Sequence, residues 1–193
     1  MSFSETYSLK KRILLATVCS LFIAVSCSLF YYTHKKPASP VYTYNKQRDY
    51  QDIVDLFELE RFWLTTTVDY SPNYMLDFMA PHKGAFYRGK LHVKVARPDN
   101  AFAGFTAFYM HDNKTGMILF LATRPEFRGK GYGKMLIMSA IQELKKMGAK
   151  KVNLVTRTTN FPAQHVYVSL GFDEITRDDQ GFVYYEYTKY IYI

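Results

Sequence analysis

Hydrophobic residues follow two different periods along this chain, and each period predicts its own kind of element. Between Lys90 and Ala96 apolar and polar residues alternate, which is typical of a strand with one buried face. Between Gly133, the end of a glycine-rich turn, and the helix-stopping Gly148, apolar residues recur every three or four positions, as on one face of a helix. This apolar face comprises Leu136, Ile137, Ala140, Ile141 and Leu144.

The same patterns, extended along the chain, predict a mixed sheet. Three strands with short turns between residues 90 and 123 should form an antiparallel meander. The strand, helix and strand between residues 117 and 156 make a βαβ unit, whose two strands should be parallel. The predicted fold class is therefore α+β, a mixed β-sheet flanked by helices. Strands are predicted over 41–45, 90–96, 102–110, 117–123, 151–156, 172–176 and 182–190, and helices over 49–64, 71–79, 134–147 and 162–170.

The N-terminal part contains an uncharged apolar stretch of 20 residues, from Ile13 to Tyr32. A helix of that length spans about 30 Å, the thickness of a bilayer's hydrocarbon core. Basic residues flank the stretch on both sides. We therefore expect a transmembrane helix over residues 13–32, preceded by a tail of residues 1–12, with a lipid bilayer as its partner. A cleaved signal peptide, lipidation at Cys27 and a buried helix are the alternatives.

The rest of the chain has the composition of one folded domain. A proline-containing linker, residues 33–41, precedes a domain predicted over residues 42–193. Residues 1–40 hold five Lys or Arg and one Glu, which is +4 of the formal net charge of +8. The domain is thus only mildly basic, and no nucleic acid is expected as a partner. Both cysteines lie in the apolar stretch, which excludes thiol catalysis, a zinc cluster and a disulfide from the domain.

A glycine-rich turn, Arg128 to Lys134, lies between a predicted buried strand and a predicted amphipathic helix. Unpaired N–H groups and the positive end of the helix dipole meet there, which suits a phosphate. A plain tight turn with solvated charges is the alternative. The spacing excludes a P-loop, because Met135 stands where Ser or Thr is required. It also excludes a dinucleotide fingerprint, because Gly133 comes one position too early.

This turn resembles the acyl-CoA loop of the GCN5-related N-acetyltransferase (GNAT) superfamily. The family pattern, Arg/Gln-x-x-Gly-x-Gly/Ala, is met by Arg128, Gly131 and Gly133. The preceding Pro125-Glu126-Phe127 is similar to the family's proline, acid and aromatic lead-in. A second signature follows about 30 residues further on, and the resemblance extends over about residues 42–193. This second signature comprises Asn160, Ala163, Tyr167 and Leu170-Gly171-Phe172.

The resemblance implies acetyl-CoA as co-substrate and no metal. In this family the strand before the loop splays from the next parallel strand, and pantetheine lies in the gap against strand backbone, here that of Leu121 and Thr123. Asn160 would contact the cofactor near the mouth of the gap, and a helix N-cap is its alternative role. The phosphates would rest on Arg128, Gly129, Lys130, Gly131, Tyr132, Gly133 and Lys134.

The implied reaction is direct attack of a neutral primary amine on the thioester carbonyl, with a strand N–H facing the oxyanion. Tyr167 would act as general acid on the departing thiolate, because a phenol keeps its proton at neutral pH. A packed ring is the alternative role for Tyr167. The base is unassigned, since Met117 and Leu119 stand where some family members place Glu or His. Candidates, each of which could also be a solvated surface group, are Glu58, Glu60, Asp69, His82 and His111.

The acceptor amine is left open by the sequence. In this family it is shaped by the segments that correspond to residues 49–79 and 181–193, which carry no cluster of acidic residues. A small amine, an aminoglycoside, a peptide N-terminus and a lysine side chain are all compatible with that composition.

Together these observations predict a membrane-anchored N-acetyltransferase. The alternatives are a non-catalytic acyl-CoA-binding or interaction module at the membrane, and a basic adaptor for a membrane surface or nucleic acid. Three basic residues precede the apolar stretch and two follow it, which by the positive-inside rule would place the domain outside. Because acetyl-CoA is expected in the cytosol, we instead predict a single-pass membrane protein with a cytosolic catalytic domain.

Overall fold

The computed structural model describes residues 39–66, 70–76 and 91–189. The predicted tail, the predicted transmembrane helix over residues 13–32 and most of the linker lie outside this part, as do two base candidates, Asp69 and His82. Within the described ranges, no helix has both the length and the apolar character needed to cross a membrane.

The described residues form a seven-stranded sheet and its flanking helices. The strands are β1 (Val41–Thr43), β2 (His92–Ala96), β3 (Gly104–Met110), β4 (Thr115–Thr123), β5 (Lys151–Arg157), β6 (Asp173–Arg177) and β7 (Phe182–Tyr187). The α-helices are α1 (Lys46–Leu59), α2 (Arg61–Leu64), α3 (Asn73–Leu76), α4 (Tyr132–Lys146) and α5 (Phe161–Leu170), and 3-10 turns cover Pro98–Asn100 and Pro125–Phe127.

The strand order is β1-β2-β3-β4-β5-β7-β6. All neighbouring pairs are antiparallel except β4 and β5, which are parallel and connected through α4. The predicted meander and the predicted βαβ unit are therefore confirmed, as is the α+β class. A parallel pair needs a crossover connection, and α4 supplies it by packing its apolar stripe on the sheet.

Each face of the sheet carries its own hydrophobic core. On one face, which we call the α1 face, α1 and α3 pack on β2, β3 and β4 through side chains that include Ile53, Phe57 and Met75. On the other, the α4 face, α4 and α5 pack on β4, β5 and β7. The alternation of buried Val152 and Leu154 with half-buried neighbours in β5 reflects this arrangement, because the core of β5 lies on the α4 face.

The region around α1 departs from its predicted boundaries. The strand predicted to reach Asn45 ends at Thr43, and the helix predicted from residue 49 begins at Lys46. The reason is a reciprocal cap: the Asn45 side chain accepts from the Arg48 N–H at 3.1 Å, and the Asn45 N–H donates to Asp49 at 2.8 Å. The single predicted helix over 49–64 is also two helices, because Glu60 leaves helical geometry at φ −102° and ψ 10°.

A network of ion pairs fastens α1 to the sheet. The Asp49 carboxylate is fully buried and lies 2.7 Å from the guanidinium groups of both Arg48 and Arg97. Asp52, one turn further on, pairs with Arg97 and with Arg124. Arg124 directly follows β4, so the network ends next to the glycine-rich turn.

Candidate active site

The parallel strands β4 and β5 separate part of the way along their length. They pair from Thr115 and Lys151 as far as Ile118 and Leu154. Beyond that point β4 continues to Thr123 and β5 to Arg157 without pairing to each other. We call the opening between these unpaired stretches the β4–β5 gap.

A bulge in β4 marks the place where the gap opens. The register with β3 shifts there, because Phe108 pairs with Ile118 whereas Ala107 pairs with Phe120, and Leu119 is left without a partner. A bulge bends its strand and increases the local twist. It therefore turns the second half of β4 away from β5.

The backbone of the second half of β4 presents polar groups to the gap. The Arg124 N–H donates to the Ala103 carbonyl at 2.9 Å, on the β3 side. Because backbone groups alternate in direction along a strand, those of Leu121 and Thr123 face the other way, into the gap. This is the geometry that pantetheine pairing requires at these two residues, and the pairing itself stays a prediction.

The glycine-rich loop follows β4 and begins α4. Gly129 and Gly131 have φ of 74° and 87°, a conformation that favours glycine, and a Cβ at either would meet no atom within 4 Å. Among the described residues, none accepts a hydrogen bond from the N–H groups of residues 129–134. These groups lie at the positive end of α4, so the loop has the geometry of an anion site.

The other loop residues shape this site. A Cβ on Gly133 would lie 3.5 Å from the Thr123 hydroxyl, an ordinary van der Waals distance, so α4 starts close to the end of β4. The Lys130 ammonium lies 5.3 Å from the centre of the Phe127 ring, and the Tyr132 ring packs on the same phenyl group at 5.9 Å. Lys134 is exposed on the first turn of α4. Two lysines, Lys130 and Lys134, thus lie in the same short segment as the unpaired N–H groups.

Arg128 has partners on the protein itself. Its Nε donates to the Thr123 carbonyl at 3.1 Å, and its Nη2 forms an ion pair with Glu60. The guanidinium therefore links the loop to the end of α1. The Glu60 carboxylate is occupied by this pair, which argues against Glu60 among the five candidates for the unassigned base.

The remaining base candidates are not brought to the gap as free groups. Glu58 pairs with Arg61. His111 lies in the turn between β3 and β4, at the opposite end of β4 from the loop. Met117 and Leu119 pack against the core on the α1 face, so they contribute apolar surface there.

Asn160 caps α5, as the alternative reading expected. Its side-chain oxygen accepts from the Ala163 N–H at 3.4 Å, and its amide nitrogen donates to the Thr156 hydroxyl at 3.2 Å. The neighbouring Gln164 side chain donates to the carbonyls of Arg157 and Thr158. These bonds fix α5 to the end of β5, and a cofactor contact of Asn160 stays a prediction.

Tyr167 is only 6 % exposed and packs between aromatic rings on the α4 face. Its ring centre lies 5.6 Å from that of Tyr185 and 6.0 Å from that of Phe172. Burial, and to a lesser extent the proximity of Tyr185, raises the pKa of the Tyr167 hydroxyl above its ordinary value. The phenol thus carries its proton at neutral pH, which a proton donor requires, and the ring also fills the core.

Arg157, at the end of β5, is a functional candidate that the sequence reasoning missed. Its Nε donates to the Phe62 carbonyl at 2.8 Å, and its guanidinium lies 4.2 Å from the centre of the Phe62 ring. The centre of the Phe182 ring lies 5.5 Å from the same guanidinium. Residue 157 follows the predicted end of its strand, and no local pattern distinguishes it from a solvated arginine.

Comparison with known proteins agrees with this geometry. The family model described as acetyltransferase (GNAT) family matches residues 50–172. The [ribosomal protein bS18]-alanine N-acetyltransferase of Haemophilus ducreyi is 32 % identical over 126 residues, which are 65 % of this chain and 79 % of that protein. The mycothiol acetyltransferase of Actinosynnema mirum is 34 % identical over 77 residues, 40 % of this chain but only 26 % of that protein.

Solved structures share the fold. Ard1 from Thermoplasma volcanium superposes with a TM-score of 0.60 at 17 % identity, over 78 % of this chain and 97 % of that chain. The PaiA N-acetyltransferase from Thermoplasma acidophilum, crystallised with coenzyme A, gives a TM-score of 0.60 at 19 % identity, over 77 % and 97 % of the two chains.

The chain therefore belongs to the GNAT acetyltransferase family. This confirms the predicted resemblance and the predicted class of enzyme, an N-acetyltransferase with acetyl-CoA as co-substrate. Within the described residues, no group of three or more His, Cys, Asp or Glu side chains is placed to hold a metal ion.

Proposed function

We propose that this protein acetylates a primary amine by direct attack on acetyl-CoA, while residues 13–32 anchor it to a membrane and its catalytic domain faces the cytosol. One observation carries the catalytic part of the proposal. The β4–β5 gap leads directly into a loop whose N–H groups, at residues 129–134, are unpaired among the described residues. A pantetheine arm fits such a gap, and a pyrophosphate fits such a loop.

The residues present suit both the phosphates and the pantetheine arm of acetyl-CoA. The N–H groups of residues 129–134 and the dipole of α4 would hold the phosphates, with Lys130 and Lys134 adding positive charge. The backbone groups of Leu121 and the N–H of Thr123 would hold the pantetheine, since the Thr123 carbonyl already accepts from Arg128. The co-substrate supplies a thioester, which is an activated acyl group with a thiolate as leaving group.

In the reaction, the amine nitrogen forms a bond to the acetyl carbon, and the bond from that carbon to sulfur breaks. A backbone N–H of β4 in the gap stabilises the oxyanion that develops on the carbonyl. Tyr167 donates a hydrogen bond and then a proton to the departing sulfur. The amine first loses a proton to water and attacks in its neutral form, since Glu58 and Glu60, base candidates within the described residues, are held in ion pairs. After the attack the nitrogen loses a second proton, which restores the Tyr167 hydroxyl.

The relatives support an amine acceptor. The protein from Haemophilus ducreyi is named for the acetylation of an alanine of a ribosomal protein. The membrane part rests on the apolar stretch over residues 13–32, and the cytosolic placement rests on the supply of acetyl-CoA in that compartment.

Calorimetric titration of the full-length chain in a mild detergent with acetyl-CoA tests the proposal, followed by a screen of primary amines for release of free CoA. Gly131→Glu should abolish binding, because it places a carboxylate and a strained backbone in the loop. Gly148→Glu is the matched control: Gly148 also has positive φ, 101°, but lies at the other end of α4. The proposal fails if acetyl-CoA does not bind, if both variants bind alike, or if no amine is acetylated.

A further inference from the structure

Arg157 differs from the other described arginines in its partners. Across residues 39–66, 70–76 and 91–189, each other arginine forms an ion pair with a carboxylate, whereas Arg157 forms none. Those paired arginines are Arg48, Arg61, Arg97, Arg124, Arg128 and Arg177.

The guanidinium of Arg157 is nevertheless held in place. Its Nε is hydrogen-bonded to the Phe62 carbonyl, and the rings of Phe62 and Phe182 lie against it at 4.2 Å and 5.5 Å. Its backbone is fixed as well, since the Arg157 carbonyl accepts from the Gln164 side chain at 3.2 Å. The two terminal nitrogens donate to no described residue. A half-buried cation is thus held by aromatic rings, and its two terminal nitrogens have no acceptor among the described residues.

The position of Arg157 relates it to the acceptor. It lies three residues beyond Leu154, the last residue of β5 that pairs with β4, and therefore about 10 Å along the edge of the gap. Val152 and Leu154 point to the core on the α4 face, so Arg157, of opposite parity, points to the α1 face. The α4 face of β5 is covered by the core that α4 and α5 build, whereas the core on the α1 face includes residues of β2, β3 and β4 but none of β5. An amine would therefore reach the gap from the face that carries Arg157.

We propose that Arg157 binds a carboxylate group of the acceptor, so that the amines acetylated by this enzyme also carry a carboxylate; this inference rests on the proposed function. The guanidinium presents parallel N–H groups that match the two oxygens of a carboxylate. The adjacent rings reduce the exposure of the pair to water, which strengthens it. Phe62 and Trp63, 61 % and 41 % exposed, supply apolar surface for the rest of the acceptor.

A matched set of acceptors tests this assignment. Linear ω-amino carboxylic acids of three to eight carbons are compared with their primary carboxamides, so that each pair shares the amine and differs in the negative charge. The full-length enzyme should have a kcat/KM at least about tenfold higher for the best acid than for its amide, mostly through KM.

Three variants assign the preference to Arg157. In Arg157→Gln the ratio of acid to amide should fall by about ten- to a hundredfold, to near one. Arg157→Lys should keep part of the ratio, because the charge remains but the fork is lost. Arg177→Gln, which removes an arginine paired with Glu174 on the edge strand β6, should keep the full ratio. An equal rate for acids and amides in the wild type overturns the inference, as does a ratio that survives Arg157→Gln or a preference for phosphorylated amines.

A binding measurement separates this inference from the proposed function. Trp63 is the single tryptophan of the chain, and its ring lies 4.8 Å from that of Phe62. Titration of the CoA-bound enzyme with glutarate should change Trp63 fluorescence saturably in the wild type and in Arg177→Gln, but not in Arg157→Gln. If acetyl-CoA binds and no amine is acetylated, the proposed function fails and this titration alone decides the carboxylate site. The absence of a saturable response in the wild type then overturns the inference.

Discussion

Glu60, which ends α1, forms an ion pair with Arg128, the first residue of the glycine-rich loop, although the two are 68 positions apart in the sequence. The same guanidinium donates to the Thr123 carbonyl at the end of β4. One side chain therefore connects the first helix, the strand that borders the gap and the loop. The pair brings a negative charge close to a loop suited to phosphate, and its removal should alter cofactor binding.

Glu60→Gln should bind acetyl-CoA about two- to fivefold more tightly at low ionic strength, because one negative charge near the phosphates is removed. The gain should shrink at high salt, which screens exposed charges. Calorimetric titration at two salt concentrations measures both effects. Glu58→Gln is the control, since Glu58 pairs with Arg61 and not with the loop. Weaker binding by Glu60→Gln would show instead that the placement of Arg128 matters more than the charge.

Asp49→Asn should lower the free energy of unfolding by about 3 to 5 kcal/mol, because it removes one of the two carboxylates that pair with the buried Arg97. Asp55→Asn on the same helix is the control: Asp55 is exposed and bonds only to Gln51, so a change within about 0.5 kcal/mol is expected. Denaturant unfolding of both variants measures the difference. Equal losses for the two would contradict a special role of the buried network.

Because the Asp49 carboxylate is paired in the folded state, we expect the stability of the protein to fall in acid. Burial raises the pKa of Asp49, but hydrogen bonds from Arg48, the Asn45 N–H and Arg97 outweigh it, and the net pKa is lowered. The stabilisation is therefore complete above the pKa of the unfolded carboxyl, near 3.9, and is lost as the pH falls below it. Unfolding midpoints between about pH 6 and pH 3 should show this loss in the wild type and a weaker one in Asp49→Asn. Parallel curves for the two proteins would refute the assignment.

Alkaline conditions should also destabilise the fold, because the folded state raises the pKa of buried tyrosines whereas it lowers that of Asp49. Burial raises the pKa of Tyr109, Tyr167 and Tyr185, so these phenols resist ionisation in the folded state. In the unfolded chain they ionise near pH 10, so the stabilisation is complete below about pH 10 and is lost as the pH rises further. Unfolding midpoints at about pH 8 and pH 11 measure the loss, and Tyr167→Phe should reduce it.

Tyr167→Phe should lower kcat by about a hundredfold, because the proton donor to the departing sulfur is removed. Affinity for acetyl-CoA should be retained, since the loop lies elsewhere. Tyr185→Phe, a buried neighbour of the same type, serves as the control and should keep most of the activity. Steady-state assays of CoA release measure the rates, and similar rates for both variants would leave Tyr167 with a packing role only.

The full-length chain should sediment with membranes and resist extraction at alkaline pH, because residues 13–32 are uncharged over a span of about 30 Å. A variant that starts at residue 37 should be released. In intact cells or sealed right-side-out vesicles, protease added from the outer side should leave the domain undigested. Digestion from that side would overturn the cytosolic placement.

Much of the fold could be predicted because the signals are local. The alternation in β2 and the stripe of α4 come from which side chains face a core, and a period of two or 3.6 residues reveals this without knowledge of the partner. The start of α1 was predicted wrongly because it depends on a side-chain cap at Asn45, and the break at Glu60 leaves the apolar period unchanged. Boundaries of this kind depend on individual hydrogen bonds.

The candidate site likewise has one part that the sequence predicted and one part that it did not. Glycine positions within one short loop determined where unpaired N–H groups would lie, and the family motif is contiguous in sequence. Arg157 gave no such signal, since its partner Phe62 is 95 positions away. No local sequence pattern indicated the pairing of Glu60 with Arg128 either, and this pairing argues against one candidate base.

The sequence by itself determined the mixed fold, the glycine-rich loop, the family and the expected cofactor, because each depends on residues that are neighbours along the chain. The tertiary structure alone decided where β4 and β5 part, which carboxylates are neutralised and which arginine has no acidic partner among the described residues. The strands part beyond a bulge in β4, and the Glu60–Arg128 pair joins residues 68 positions apart, so these features depend on the folded chain and not on neighbouring residues. The expected phosphate site thus depends on residues that are adjacent in the sequence, whereas the proposed acceptor site at Arg157 depends on the assembled fold.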